Sequence, residues 1–280
     1  MWKQKIGMSI GAVPGISGVE TVQLLKAAGF DAVSPVWRAN EDLGEVVAAA
    51  EACGMAVQSL HAPFLKAAKM WSADPETAAP AREELLTVAA DCAKYHIPVL
   101  VVHAWIGFAY DFDEAALFFD HYDALVQYAQ EHGFTVVFEN TEGEEFLFAL
   151  LKRYENNPAV GFCWDSGHEM CYNHSQDLLA KYGDRLVMTH LNDNLGICDF
   201  EGKTRAADDL HLLPYDGIAD WDDNVRRLKN ARPQEYLNFE LTTVSKKERH
   251  ENDVYAQMPP EQYLAEAYKR ACRIASRYSK

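Results

Sequence analysis

The chain has 280 residues, of which 49% are hydrophobic and 24% charged; this is the make-up of an ordinary globular protein with a sizeable core and excludes a disordered chain. A formal net charge of −16 counts against a nucleic-acid partner, because affinity for phosphate backbones rests largely on lysine and arginine displacing counterions. The six cysteines are scattered with no C-x-x-C pair, which argues against a disulfide framework and a thiolate zinc site.

The opening MWKQKIGMSIGAVPG holds no apolar stretch long enough for a secretory signal, and the longest apolar run, residues 97–110, is too short to span a bilayer. The expectation is therefore one cytoplasmic domain over residues 1–280, with no membrane partner and with a homo-oligomer permitted.

Eight β-rich runs alternate with helical patterns. In chain order they are residues 5–10, 30–36, 55–60, 98–103, 134–139, 160–165, 185–190 and 236–241. Most are continuous apolar runs, as parallel strands covered on both faces should be. Ser17-x-x-Glu20 is a capping box ahead of the first helix, and Asp74-Pro75-Glu76 starts another with proline in its first turn. Gly29, Gly54 and Gly133 each separate a helical pattern from a strand, where a left-handed C-cap is wanted. Eight such units close most economically into a single (β/α)8 TIM barrel, an α/β fold whose active site sits at the C-terminal ends of the strands. Residues 61–75 and 191–218 are too long for simple connections and are candidate lids.

Nine metal-capable residues follow these strands: His61, His103, Glu139, Asp165, His168, His190, Asp209, His211 and Glu240. Glu139, Asp165, His190 and Glu240 end four successive strands, so their side chains should converge above one sector of the rim. Three carboxylates that close repel one another unless a cation sits among them, and three oxygen donors with one imidazole suit Mn, Co, Mg or Zn. His61, His103, His168, Asp209 and His211 form a second group, able either to hold further metal or to contact substrate, and the acidic surface favours substrate. Trp37 and Trp105 are expected to supply apolar walls, whereas Trp164 should point towards the helices by the pleat. The histidines at 96, 121, 132, 174 and 250 are expected to face solvent. A phosphate could sit at Gly15 and Gly18 or along Thr242–Lys246.

At HAPF (61–64), the His103 strand end, Glu139-Asn140, Asp165-Ser-Gly-His168, His190-Leu-Asn-Asp193, the stretch from Asp209 to Trp221, and Glu240, the chain resembles the xylose isomerase-like barrels over nearly its whole length. These include sugar phosphate isomerases and epimerases, ketose 3-epimerases, inosose dehydratases and the type IV AP endonucleases. The epimerase resemblance implies one metal on Glu139, Asp165, His190 and Glu240, with the two glutamates also moving protons. The endonuclease resemblance implies that all nine positions hold three Zn ions.

The expected activity is that of a metal-dependent sugar or sugar phosphate isomerase/epimerase of carbohydrate metabolism, working by proton transfer next to a carbonyl through a metal-bound enediolate, with a keto sugar as substrate. Glu139 and Glu240 are its expected catalytic residues. The alternatives are a trinuclear-zinc phosphodiesterase acting on abasic DNA and an inosose dehydratase-like lyase. Against the nuclease, only Lys66 and Lys69 follow His61, and Lys203 and Arg205 stand among Asp199, Glu201, Asp208 and Asp209.

Overall fold

The computed structural model describes residues 4–247 and 249–279. Its strands are β1 (Lys5–Ser9), β2 (Ala32–Ser34), β3 (Ala56–Val57), β4 (Leu60–His61), β5 (Val99–His103), β6 (Thr135–Glu139), β7 (Val160–Asp165), β8 (Leu186–His190) and β9 (Tyr236–Phe239). All pairings between them are parallel, in two arcs ordered β3-β2-β1-β9 and β4-β5-β6-β7-β8. The arcs meet where Val36 bridges His61 and Leu191 bridges Phe239. β3 and β4 are two pieces of one stave, because the amides of Gln58 and His61 both donate to the neighbouring chain segment, at Val33 and Pro35. Nine segments thus make the eight staves of a closed (β/α)8 barrel, with stave ends displaced from the sequence expectation by up to two residues.

Among the described residues ten helices surround it: α1 (Gly18–Ala28), α2 (Leu43–Ala52), α3 (Pro75–Lys94), α4 (Asp120–His132), α5 (Glu144–Arg153), α6 (Ser166–Cys171), α7 (Leu178–Tyr182), α8 (Trp221–Asn230), α9 (Asp253–Ala256) and α10 (Pro260–Tyr278). The expected caps form. Ser17 accepts from the Glu20 amide, Asp74 from the Thr77 amide, and Gly29 and Gly133 end α1 and α4 in the left-handed region. None of the described helices is long and apolar enough to cross a membrane.

The period of two along each strand divides the buried residues between two cores. Leu100, Val102, Val136, Phe138, Phe162 and Trp164 face the helices and join the large outer core. Val99, Val101, Val137, Cys163 and Met188 fill the barrel interior. Burial of a side chain such as Phe138 or Phe162 stabilises by about 1.5–3 kcal/mol. The inward parity then continues to the rim, where the next inward positions are His103, Glu139, Asp165 and His190.

The segment after β4 is better anchored than a lid. Residues Ala67–Trp71 form a 3-10 turn whose Trp71 is buried and donates to the Ala104 carbonyl at 2.8 Å. His121 corrects a second expectation: it is buried where α4 packs on this segment, its Nε2 lying 3.1 Å from the Ser72 carbonyl.

Candidate functional site

Strand register builds the centre of the site. His103 lies beside Glu139 across β5 and β6, and Asp165 lies beside His190 across β7 and β8. The second pairing depends on an irregularity: Phe162 pairs with Leu186 but Cys163 with Met188, so β8 carries one extra residue that brings His190, rather than Thr189, opposite Asp165. Glu240 follows directly after β9, its amide donating to Leu191 across the closing seam.

The four donors converge. One ligand atom from each of Glu139, Asp165, His190 and Glu240 lies within 4.8 Å of every other. His190 Nδ1 is 2.9 Å from Glu139 Oε1 and 3.1 Å from Glu240 Oε2. Glu139 Oε2 faces both His61 Nε2 and His103 Nε2 at 3.2 Å, and Asp209 Oδ1 lies 2.9 Å from His211 Nε2 and 3.4 Å from His168 Nε2. All nine residues marked in the sequence therefore meet at one rim, and His168–Asp209–His211 and His61–His103–Glu139 are also compact donor groups.

Second contacts fix how these side chains point. His61 Nδ1 lies 2.8 Å from the Ala62 carbonyl, His168 Nδ1 3.0 Å from the Asn140 carbonyl, and His211 Nδ1 3.1 Å from the Glu240 carbonyl. A carbonyl only accepts, so each Nδ1 carries the proton and a neutral ring turns the Nε2 lone pair towards a carboxylate. Lone pair against carboxylate is repulsive unless a cation or a proton lies between them. The donor set thus suits a divalent metal ion, and the buried Asp209 Oδ1, which has no hydrogen-bond donor, fits the same conclusion.

The charges respond accordingly. Burial would raise Glu139, but His190, His103 and His168 more than offset it and hold the carboxyl well below its usual range. Burial likewise opposes the shift at Glu240, which His190 and His211 bring down to about 2. Asp165 is pushed up by burial despite His168 and His211. His168 and His190 rise well above the ordinary imidazole value and His211 rises to about 9, each against its burial and under neighbouring acidic groups.

Two motifs acquire a physical reason. Asp165 is the N-cap of α6, its Oδ1 accepting from the His168 amide at 2.7 Å, so His168 stands on the first turn of a helix. Asp165 Oδ2 accepts from Asn192 at 2.9 Å, and a Cβ at Gly167 would come within 1.9 Å of the Asn192 side chain; only glycine lets the two segments approach. Asp193 ties down the loop that carries Asp209 and His211, accepting from the Tyr215 and Ala219 amides and from Trp221 Nε1 at 2.8–2.9 Å.

The two tryptophans expected as walls lie elsewhere. Trp37 points outward, donating to Asp91 of α3 at 2.7 Å, while Val36 and Arg38 face the mouth. Trp105 stacks on Phe146 of α5 with ring centroids 4.0 Å apart. The aromatic that meets the histidines is Phe64 of the HAPF segment, 4.6 Å from His103 and nearly parallel to it, with Tyr172 5.0 Å from His168. Phe64 was visible in the motif, whereas Tyr172 required knowing that α6 is a helix. Trp164 does face the helices, donating to Glu169 beneath the Arg227 guanidinium.

Comparison with known proteins agrees with this architecture. The family model for the xylose isomerase-like TIM barrel matches residues 22–272, and the chain belongs to that family. An uncharacterized protein, y4fM, of Sinorhizobium fredii (strain NBRC 101917 / NGR234) is 37% identical over 107 residues, 38% of this chain and 31% of that protein. A xylose isomerase-like TIM barrel/4-hydroxyphenylpyruvate dioxygenase fusion protein superposes over 97% of this chain and 43% of its own, with TM-score 0.72 and 17% identity. The IOLI protein with a bound zinc atom gives TM-score 0.77 at 16% identity, covering 98% and 99% of the two chains. D-psicose 3-epimerase with D-tagatose, from Clostridium cellulolyticum H10, gives 0.70 at 12% over 98% and 99%. At such identities the likeness of the solved structures is one of fold.

Proposed function

We propose that the chain is an enzyme that isomerises or epimerises a small keto sugar or its phosphate, with a divalent metal held by Glu139, Asp165, His190 and Glu240. The observation that carries this reading is the convergence of those four donors within 4.8 Å beside a cavity of about 210 Å3 that Glu240 and His211 line. When bound, the metal supplies Lewis-acid polarisation of a carbonyl and its neighbouring hydroxyl, which acidifies the C–H between them.

The residues supply the rest. Glu240 presents a carboxylate to the cavity, and its oxygen not engaged with His190 takes the proton from carbon. Glu139, across His190 from it, returns to the same or the neighbouring carbon a proton taken up from the His103 imidazole at its second oxygen, which His61 also orients. His211 and His168, which when protonated carry Nε2–H beside Asp209, donate to oxygen as negative charge develops there. Phe64 and Tyr172 limit the access of water from the histidine side. The similarity to a zinc-bearing barrel and to a D-psicose 3-epimerase supports the same reading. Its test is a panel of keto sugars in deuterated water with the metal-loaded protein: label should enter at the carbon next to the carbonyl. Turnover with no label at any stage would replace the proton transfer by a hydride shift.

A second reading, the trinuclear-zinc phosphodiesterase, is favoured by one observation: His61–His103–Glu139 and His168–Asp209–His211 are donor groups as compact as the four-residue one. Lys246 weighs against it, because its ammonium already stands 3.4 Å from Asp209 Oδ2.

A further inference from the structure

Two cavities at the rim share a wall. The smaller, about 210 Å3, lies against Glu240 and His211; the larger, about 580 Å3, runs between the β1–α1 loop and the β2–α2 loop. Ile10, Gly11, Val36 and Arg38 line both, so the larger space opens directly beside the reacting one. The smaller falls below the roughly 300–1,000 Å3 of ordinary small-molecule sites and the larger lies well inside that range. The reaction proposed above uses only the smaller.

We infer that the larger cavity is a subsite for a neutral, hydroxyl-rich ring bonded to the reacting sugar, so that the substrate is a keto disaccharide or comparable glycoside. This deepens the isomerase reading and rests on it. The wall has two kinds of surface. Val13 and Ile16 offer an apolar face of the sort that packs on sugar C–H groups, while Asn40 and Glu45 offer amide and carboxylate groups to hydroxyls. Glu45 stands in the first turn of α2 and, among the described residues, forms no ion pair.

Charge decides between a sugar ring and a phosphate. Glu41, Asp42 and Glu45 stand against one guanidinium, Arg38, which already pairs with Glu41 at 2.8 Å. A phosphate entering here meets net negative charge. The start of α1 does not reverse this, since Ser17 already takes up the Glu20 amide. The phosphate expected at Gly15 and Gly18 is therefore disfavoured, whereas hydroxyl groups find acceptors.

The test measures binding by calorimetry and carbon-bound deuterium exchange by NMR, on the metal-loaded protein, with D-fructose, D-fructose 6-phosphate, lactulose, maltulose and isomaltulose as probes. At least one of the three disaccharides should bind about tenfold more tightly than fructose, and fructose 6-phosphate should gain nothing. Ile16→Trp, which fills the cavity, should remove most of that advantage. Glu45→Leu, on an exposed helix position that folding does not need, should reduce it and serves if the tryptophan variant unfolds. If no disaccharide binds more tightly than fructose, or if neither variant changes the ratio, the subsite is wrong. Binding is read without turnover, so the two readings fail separately. Tight disaccharide binding without deuterium exchange keeps the subsite and removes the isomerase; exchange into fructose without a disaccharide advantage does the reverse.

Discussion

Lys246 places its ammonium 3.4 Å from Asp209 Oδ2, and among the described residues it is the one lysine or arginine paired with any of the nine rim residues. Its loop is held for this purpose: the Lys246 amide donates to Glu251 at 2.6 Å, and Ser245 donates to Asp253 at 2.6 Å. Asp209 thus has a lysine counter-charge, while among the described residues Glu139, Asp165 and Glu240 have only imidazoles as charge partners.

The expected consequence is a difference in metal content. After exhaustive dialysis the protein should retain about one divalent ion per chain, and Lys246→Met, by freeing Asp209, should raise that to about two. Elemental analysis of both proteins checks it. Three ions in the unaltered chain, unchanged by the substitution, would mean that Lys246 does not compete for that place.

Glu139→Gln and Glu240→Gln should each lower turnover of the responsive keto sugar by about 10²–10⁴, the usual contribution of a positioned acid or base. Neither residue belongs to the outer apolar core, so the far-ultraviolet circular dichroism should not change. Glu139, enclosed by four imidazoles, should cost more metal than the partly exposed Glu240. Unaltered turnover in either variant with its metal still bound would take that glutamate out of the mechanism.

The rim was legible in the sequence because two simple periodicities agree there. Inward parity along β5 to β8 and the position of each strand end both select His103, Glu139, Asp165 and His190. The aromatic wall was not legible. Trp37 and Trp105 lie past their strands, where the pleat no longer fixes direction and a partner across the helix layer, Asp91 or Phe146, decides. Lys246 and Tyr172 were hidden for a related reason: each is placed by contacts between segments distant in sequence, one by Glu251 and Asp209, the other by the helix that Asp165 starts.

Protein stripped of metal with a chelator should show a stability that falls on both sides of a mildly acidic optimum. His211 holds its proton more tightly when folded, with a value of about 9 against 6.5, because Asp209 outweighs its burial. The stability it contributes is full below 6.5 and is lost as pH rises through about 9. Glu240 shifts the other way, to about 2 from 4.5, so its contribution is present above 4.5 and lost as pH falls through about 2. Thermal unfolding between pH 4 and 9, with and without added zinc, checks the alkaline limb: zinc should restore most of what is lost there, since it replaces the protons between Nε2 and carboxylate. A stripped protein whose melting temperature is level from about pH 6.5 to 9 contradicts the assignment of charge at Asp209 and His211.

The protein should neither bind nor cut abasic duplex DNA at physiological salt, and the sign of the salt dependence makes the test sharp. With a formal charge of −16, one bound divalent ion leaves −14 and three leave −10. The cations of the mouth and its loops are already engaged: Arg38 with Glu41, Lys246 with Asp209, Arg249 with the buried Asp208, and Arg205 with Asp199. A nuclease that neutralises phosphates loses affinity steeply as salt rises, by about 10³–10⁵ between 50 and 200 mM for six to ten contacts. An acidic rim does the opposite, because salt shortens a repulsion that reaches about 30 Å at 0.01 M to about 8 Å at 0.15 M. Any residual association of this chain with an abasic oligonucleotide should therefore strengthen, or stay level, as salt is raised in the presence of excess zinc. Incision at the abasic site that weakens with salt, by protein retaining three zinc ions per chain, would overturn the isomerase reading and establish the phosphodiesterase in its place.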